Sequence, residues 1–125
     1  MVKSIIITGL GGFVGTACRF LISRFIHLNI VSIFPWGTFT VNVIGCLMMG
    51  ILFGIFEKGD MLNPGVRLFL IVGFCGGFTT FSSLSNDAFL LLRDNEWWKM
   101  ITYTSLSFFT GLLVLYLGRM IIKIL

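Results

Sequence analysis

Long runs without a charged side chain restrict the fold of this chain more than any other feature. The chain contains four runs free of Asp, Glu, Lys and Arg, at residues 4–18, 25–56, 68–86 and 100–118. A helix needs about 20 mostly apolar residues to cross the hydrocarbon core of a lipid bilayer. We therefore predict four membrane spans, at about residues 4–26, 36–56, 68–92 and 100–122.

The composition supports a membrane protein and leaves no room for a soluble domain. Only 11% of the 125 residues are charged and 57% are hydrophobic, whereas a soluble domain has about 25% charged residues. We predict an all-α, multi-pass membrane protein that forms one four-span domain over residues 1–125. The net charge of +4 comes from basic residues at the span ends, which is usual beside membrane helices and indicates no nucleic-acid partner.

Four spans place both chain termini on one side of the membrane, here called side A; the opposite side is side B. The basic residues of side A are Lys3, Lys58, Arg67, Arg119 and Lys123. Those of side B are Arg24, Arg93 and Lys99, with Arg19 just inside the membrane. This small excess of basic residues orients the chain weakly. Either the chain inserts in both orientations, or five basic residues suffice to orient it.

The third predicted span contains a segment, residues 73–83, that disfavours a continuous helix. Gly73, Gly76 and Gly77 each weaken helical preference by roughly 1 kcal/mol relative to alanine. Four hydroxyl residues follow, Thr79, Thr80, Ser82 and Ser83. A broken helix inside a membrane is tolerated only where it is buried in protein or lines a hydrated path. A break at this depth therefore predicts an ion site.

The same segment offers ligands to ions of both signs. A break frees backbone carbonyl oxygens, which suit a hard monovalent cation. The ring edge of Phe81 carries partial positive charge, and the neighbouring hydroxyls of Ser82 and Ser83 donate hydrogen bonds. Neutral donors of this kind can replace the water around an anion without holding it too tightly to leave, which is what conduction requires.

Other polar residues within the spans have both a functional and a structural interpretation. Thr38 and Asn42 are four residues apart and share one helix face; the Asn42 amide either lines a path or makes a hydrogen bond between helices. Arg19 and Asp87 both lie toward side B, where they pair, line an aqueous vestibule or extend to the interface. Ser107 either donates to the path or bonds back to its own helix.

Glycines in the first two spans predict close helix packing. Residues 9–15 superficially match a dinucleotide-binding motif, but the flanking strand and helix that this motif needs are missing. Gly11 and Gly15 instead form a small-residue contact face, and Gly50 and Gly54 repeat it in the second span. With so much small-residue surface on only four helices, we predict that the chain packs against another copy.

Together the motifs resemble one known family over almost the whole chain. The first is Gly11-Gly12-x-x-Gly15-x-x-x-Arg19, the second is Gly37-Thr38-x-x-Val41-Asn42-x-x-Gly45, and the third is GFCGGFTTFS at residues 73–82. They occur in this order in the small bacterial fluoride channels of the Fluc (CrcB) family, which this chain resembles.

The resemblance implies a dual-topology homodimer of two antiparallel subunits in the cell inner membrane. It implies passive, selective export of fluoride through two pores at the subunit interface, which protects the cytoplasm. By motif position, the carbonyls of Gly76 and Thr79 would hold a structural sodium ion at the centre of the dimer. The residues that match the pore are Phe81, Asn42, Thr38, Ser82, Ser83 and Ser107, and those that match the vestibule are Arg19 and Asp87.

One position departs from the family pattern. Leu84 stands where the family usually has a second pore phenylalanine, and leucine has no polar ring edge. We predict a changed conductance or binding site. Alternatively, the chain is one half of a heterodimeric fluoride channel.

Two other classes of protein remain as alternatives. A small four-helix multidrug or cation exporter needs a carboxylate in the first span, where the only charge deep in the span here is Arg19. A non-transporting assembly subunit gives no reason for a polar, interrupted third span. An enzyme is not predicted, because the only histidine is His27 in a loop and no carboxylate pair lies within a span.

Overall fold

Four long helical stretches make up the computed structural model, which describes residues 1–32, 34–59 and 63–125. The first two are α1 (Val2–Asn29) and α2 (Trp36–Gly59). The third stretch runs over Pro64–Arg93, and the last is a single helix over Trp97–Ile124. Each is long and apolar enough to cross a membrane, and the described ranges contain no β-strand. The prediction of an all-α, multi-pass membrane protein with four spans is confirmed.

The third span consists of consecutive helical pieces. It begins with α3 (Pro64–Arg67), whose first turn is capped because the Asn63 side chain accepts a hydrogen bond from Val66 N at 2.8 Å. A π-helix (Leu68–Cys75) and α4 (Gly76–Phe78) follow, and α5 (Phe81–Arg93) completes the span. The last span is α6 (Trp97–Ile124).

The third span bends at two threonines rather than at its glycines. Thr79 (φ −88°, ψ 155°) and Thr80 (φ −150°, ψ 125°) have extended backbone and separate α4 from α5. Thr80 is the N-cap of α5, since its hydroxyl accepts from Ser83 N, and such a cap favours a new helix start. The glycines Gly73, Gly76 and Gly77 all lie within helical elements.

The glycines of the third span serve packing against α1. A Cβ atom added at Gly73 would lie 2.7 Å from the Thr8 carbonyl oxygen, and one added at Gly77 would lie 2.6 Å from the Gly12 carbonyl oxygen. From the other side, a Cβ at Gly11 or Gly15 would collide with the backbone of Phe69 or Phe74. The predicted close-contact role of Gly11 and Gly15 is confirmed.

A second glycine contact joins α2 to α6. A Cβ atom at Gly50 would collide with the Leu115 backbone, and one at Gly118 would lie 2.9 Å from the Leu47 carbonyl oxygen. A Cβ atom at Gly54 would lie 2.9 Å from the Cβ atom of Ile122. Both small-residue faces are therefore occupied within the chain, so these glycines do not by themselves indicate a second copy.

The outer surface of the bundle is strongly apolar. Large side chains such as Phe13 (74% exposed), Phe81 (79%) and Phe109 (65%) point away from the chain. The interior is small and includes Val41, Cys75, Phe78 and Tyr103. An apolar surface of this extent is suited to contact with lipid or with another subunit.

Candidate ion site at the bend of the third span

The side chain of Asn42 holds the bend from α2. Its Nδ2 donates to the Thr80 carbonyl oxygen at 3.0 Å, and its Oδ1 accepts from Thr80 N at 2.9 Å. At a bend these backbone groups have lost their helical partners, and inside a membrane they must find others. The structural interpretation of Asn42 is thus confirmed. A pore role is still compatible with it, because a primary amide has two N–H donors and only one is used here.

Arg19 holds the bend from α1. Its Nε donates to the Gly77 carbonyl oxygen at 3.1 Å, and the Thr16 hydroxyl lies 3.5 Å from the same oxygen. In an uninterrupted helix this carbonyl would accept from the N–H four residues later, so the bend leaves it without that partner. The half-buried Arg19 side chain therefore lies at the bend, and the ion pairs among the described residues do not include one with Asp87.

Some carbonyl oxygens at the bend remain without a hydrogen-bond partner. Within the described parts of the chain, no hydrogen bond reaches the carbonyl oxygens of Gly76 and Thr79. Gly76 is exposed, and a Cβ atom there would have nothing within 4 Å. The Thr79 hydroxyl is used locally, since it donates to the Cys75 carbonyl oxygen at 2.9 Å. The two carbonyls that the family resemblance implied thus have lone pairs that no described residue uses, and the Phe78 carbonyl oxygen likewise accepts no hydrogen bond there.

The residues after the bend begin α5 with a mixture of exposed and half-buried side chains. Phe81 is 79% exposed, so its ring lies outside the single-chain bundle. Ser82 is exposed and its hydroxyl lies 3.2 Å from that of Thr80. Ser83 and Leu84 are half-buried. A single chain therefore does not enclose the predicted path beside Phe81.

The hydroxyl of Ser107 on α6 is buried without a partner. Its Oγ atom is inaccessible to solvent and makes no hydrogen bond to any described residue. Leaving a buried polar atom unsatisfied costs about 1–3 kcal/mol. The Ser107 hydroxyl is therefore an unsatisfied donor in the interior of the single chain, and it is not accessible on the outer surface where Phe81 lies.

A cavity of about 780 Å³ opens at side B between the ends of α1 and α5 and the start of α2. Thr38 and Asp87 line it, together with Arg24, His27 and Arg93. Of the two residues predicted for the vestibule, Asp87 lines this cavity and Arg19 does not. Asp87 is positioned because the Tyr103 hydroxyl donates to its Oδ2 at 3.3 Å.

Tyr103, a polar residue of the fourth span, contacts Asp87 of the candidate site. Its side chain is fully buried, and the ring of Phe34 packs edge-on against it with centroids 5.3 Å apart. A tyrosine so deeply buried needs a partner for its hydroxyl, which Asp87 supplies. The signal in the sequence was a polar aromatic residue within an apolar span.

Comparison with known proteins identifies the family. The family model described as "CrcB-like protein, Camphor Resistance (CrcB)" matches residues 6–119. A protein of Flavobacterium psychrophilum named "Fluoride-specific ion channel FluC" is 40% identical over 121 residues, which cover 97% of this chain and 98% of the relative.

Proteins with the same name are similarly close in two further bacteria. The Azobacteroides pseudotrichonymphae protein is 41% identical over 118 residues, covering 94% of each chain. That of Phocaeicola vulgatus is 38% identical over 116 residues, covering 93% of this chain and 95% of the relative. By the family match and by these near full-length relatives, the chain belongs to the CrcB family.

Proposed function

We propose that this protein is a passive, fluoride-selective channel of the cell membrane that lets fluoride leave the cytoplasm and so reduces its toxicity. The observation that carries the proposal is the bend at Thr79 and Thr80, held inside a membrane span by Asn42 and Arg19. The near full-length relatives named as fluoride channels support the same function.

Uncharged donors account for the choice of a small anion. The second N–H of Asn42, the hydroxyls of Ser82 and Ser107 and the ring edge of Phe81 would replace the water of hydration around fluoride. Because none of them carries a full charge, they bind the ion weakly enough for it to leave. Ser83 and Thr38 would extend this path toward side B, where Asp87 and the cavity beside it form a water-filled entrance.

A second copy of the chain completes the proposed channel. Phe81 and Gly76 are exposed, so a path beside them needs another surface to enclose it. The weak orientation signal supports an antiparallel partner, and two such copies would form two equivalent pores along their interface. Leu84 suggests an alternative, a heterodimer. Its partner would be a related chain that has a phenylalanine at this position.

A sodium ion fits between the two copies. The carbonyl oxygens of Gly76 and Thr79 have no partner within the described chain, and carbonyls freed at a helix interruption suit this ion. Two oxygens from one subunit and two from the other would hold it, and bound there it would join the subunits. The residues of each chain fix the bend so that these oxygens stay in place.

Ion efflux from liposomes tests the function directly. Liposomes containing the purified protein and loaded with potassium fluoride should release fluoride rapidly when valinomycin allows potassium to follow. Liposomes loaded with potassium chloride should release almost no chloride under the same conditions. Fluoride release no faster than from protein-free liposomes, with protein that is folded and reconstituted in both orientations, would refute the proposal for the homodimer.

A further inference from the structure

Basic side chains surround the neighbouring ends of α2 and α6 on side A. A cavity of about 130 Å³ lies there, lined by Gly54, Glu57, Lys58, Arg119 and Lys123. The two helices approach closely at this point, since a Cβ atom at Gly54 would lie 2.9 Å from Ile122 Cβ. Three cations and one carboxylate are therefore gathered around one small space at the end of two apolar spans.

Two of the cations are held in place by contacts within the chain. Arg119 forms an ion pair with Glu57, and its guanidinium carbon lies 5.9 Å from the centre of the Phe53 ring. Lys58 Nζ donates to the Ile122 carbonyl oxygen at 3.2 Å. Side chains that are already ordered lose less entropy when they bind a ligand. Arg119 and Lys58 are therefore partly preorganised for binding.

The cluster retains unused donors and excess positive charge. Glu57 neutralises one cation, Arg119, and leaves Lys58 and Lys123 uncompensated within the lining of the cavity. An ammonium group has three N–H donors, and Lys58 uses one of them. Lys123 makes no hydrogen bond or ion pair with any residue that the structure describes. A ligand that suits this cluster is therefore an anion with several oxygen acceptors.

We propose that Lys58, Lys123 and Arg119 bind the phosphate group of an anionic phospholipid. Basic pockets between membrane helices at the level of the headgroups bind anionic lipids, and each nearby Lys or Arg strengthens the attraction. The site lies at the apolar–aqueous boundary, where the phosphate of a membrane lipid is already concentrated. A lipid phosphate therefore has the advantage over free phosphate, which must come from solution.

Native mass spectrometry of the purified full-length protein tests this proposal. The protein in detergent is titrated with short-chain phosphatidylglycerol, and separately with phosphatidylcholine of the same chain length or with inorganic phosphate. The K58Q/K123Q double variant removes the uncompensated cations, whereas K3Q/K99Q removes the same charge outside the cavity. Both pairs are exposed, and size-exclusion chromatography checks that each variant keeps the wild-type assembly.

The wild type should bind phosphatidylglycerol more tightly than phosphatidylcholine. The K58Q/K123Q variant should bind phosphatidylglycerol at least about tenfold more weakly than the wild type does. The K3Q/K99Q variant should match the wild type. Equal retention of phosphatidylglycerol by the wild type and the K58Q/K123Q variant, or no preference over phosphatidylcholine, would overturn the proposal. Displacement of the lipid by millimolar inorganic phosphate would identify free phosphate as the ligand and refute the lipid assignment.

Discussion

Asn42 and Thr80 are joined by two hydrogen bonds of opposite direction, one to each polar group of the Thr80 backbone. Only a side chain with both a donor and an acceptor can make this pair, which excludes a carboxylate or a hydrocarbon of the same size. The bend of the third span is thereby fixed to α2. Any ion that passes the bend meets an amide whose orientation is already determined.

Replacing Asn42 by aspartate should suppress fluoride efflux at least tenfold. The carboxylate keeps the bond from Thr80 N but loses the donor to the Thr80 carbonyl oxygen, and its charge repels an anion. The unsatisfied carbonyl should also lower stability by about 1–3 kcal/mol, measured as thermal unfolding in detergent. Asn29→Asp is the matched control, since Asn29 Nδ2 also donates to a backbone carbonyl oxygen, at 2.7 Å, but is exposed. Wild-type efflux by Asn42→Asp would contradict the pore role.

Arg19→Lys distinguishes a positional role of Arg19 from a purely electrostatic one. Lysine keeps the positive charge but lacks the Nε–H that reaches the Gly77 carbonyl oxygen. If Arg19 fixes the bend, Arg19→Lys should lose efflux and about 1.5–3 kcal/mol of stability, the range for a charge-assisted hydrogen bond. The exposed Arg24→Lys on the same helix, which also keeps its charge, should leave the stability unchanged. Full activity and stability of Arg19→Lys, with loss only in Arg19→Gln, would show that the specific Nε contact is not required and that a positively charged donor suffices.

Adjacent glycines in α4 should respond oppositely to the same substitution. Gly77→Ala places a methyl group 2.6 Å from the Gly12 carbonyl oxygen, so α1 must shift, and we expect a loss of about 1–3 kcal/mol. Gly76→Ala meets nothing within 4 Å in the single chain and should leave monomer stability unchanged or slightly higher. Equal destabilisation by both substitutions would contradict the packing described for α1.

Sodium removal should weaken the proposed dimer. If the Gly76 and Thr79 carbonyls bind sodium between subunits, exchange into N-methyl-D-glucamine buffer should increase the monomer fraction, read by chemical crosslinking in detergent. Returning sodium should restore the dimer, and returning the same concentration of N-methyl-D-glucamine should not. An unchanged dimer after verified sodium removal would count against the central cation.

Leu84→Phe should increase fluoride flux. The substitution restores a polar ring edge beside Ser83, and an aromatic contact contributes about 0.5–1.5 kcal/mol, which corresponds to roughly a two- to tenfold change. Leu84→Met is the control, because it keeps the volume without the ring. A wild-type homodimer that hardly conducts until Leu84→Phe is introduced would favour the heterodimeric alternative, and unchanged flux in Leu84→Phe would contradict the prediction.

The four spans and the presence of a bend in the third span were predictable because both depend on local composition. Uncharged runs identify spans, and hydroxyl residues after glycines identify an interruption. The exact bend at Thr79 and Thr80 was not predictable, since it depends on the Thr80 cap and on bonds to Asn42 and Arg19.

The missed contacts join residues far apart in sequence. Arg19 and Gly77 are 58 positions apart, and Tyr103 and Asp87 lie on different helices. No local pattern indicates which polar groups will meet across such distances. The role of the glycines in the third span was ambiguous in the sequence, because glycine is favoured both where helices pack closely and where a helix is interrupted.

The close contact between α1 and the third span also limits how this protein can evolve. At Gly73 and Gly77 there is no room for a methyl group, since the opposing surface is the backbone at Thr8 and Gly12. A backbone cannot be trimmed to compensate, so a larger residue on one helix cannot be accommodated by a smaller one on the other. A larger residue at Gly73 or Gly77 would therefore force a whole helix to move. The outward-facing Gly76 can be replaced without such a constraint from its own chain.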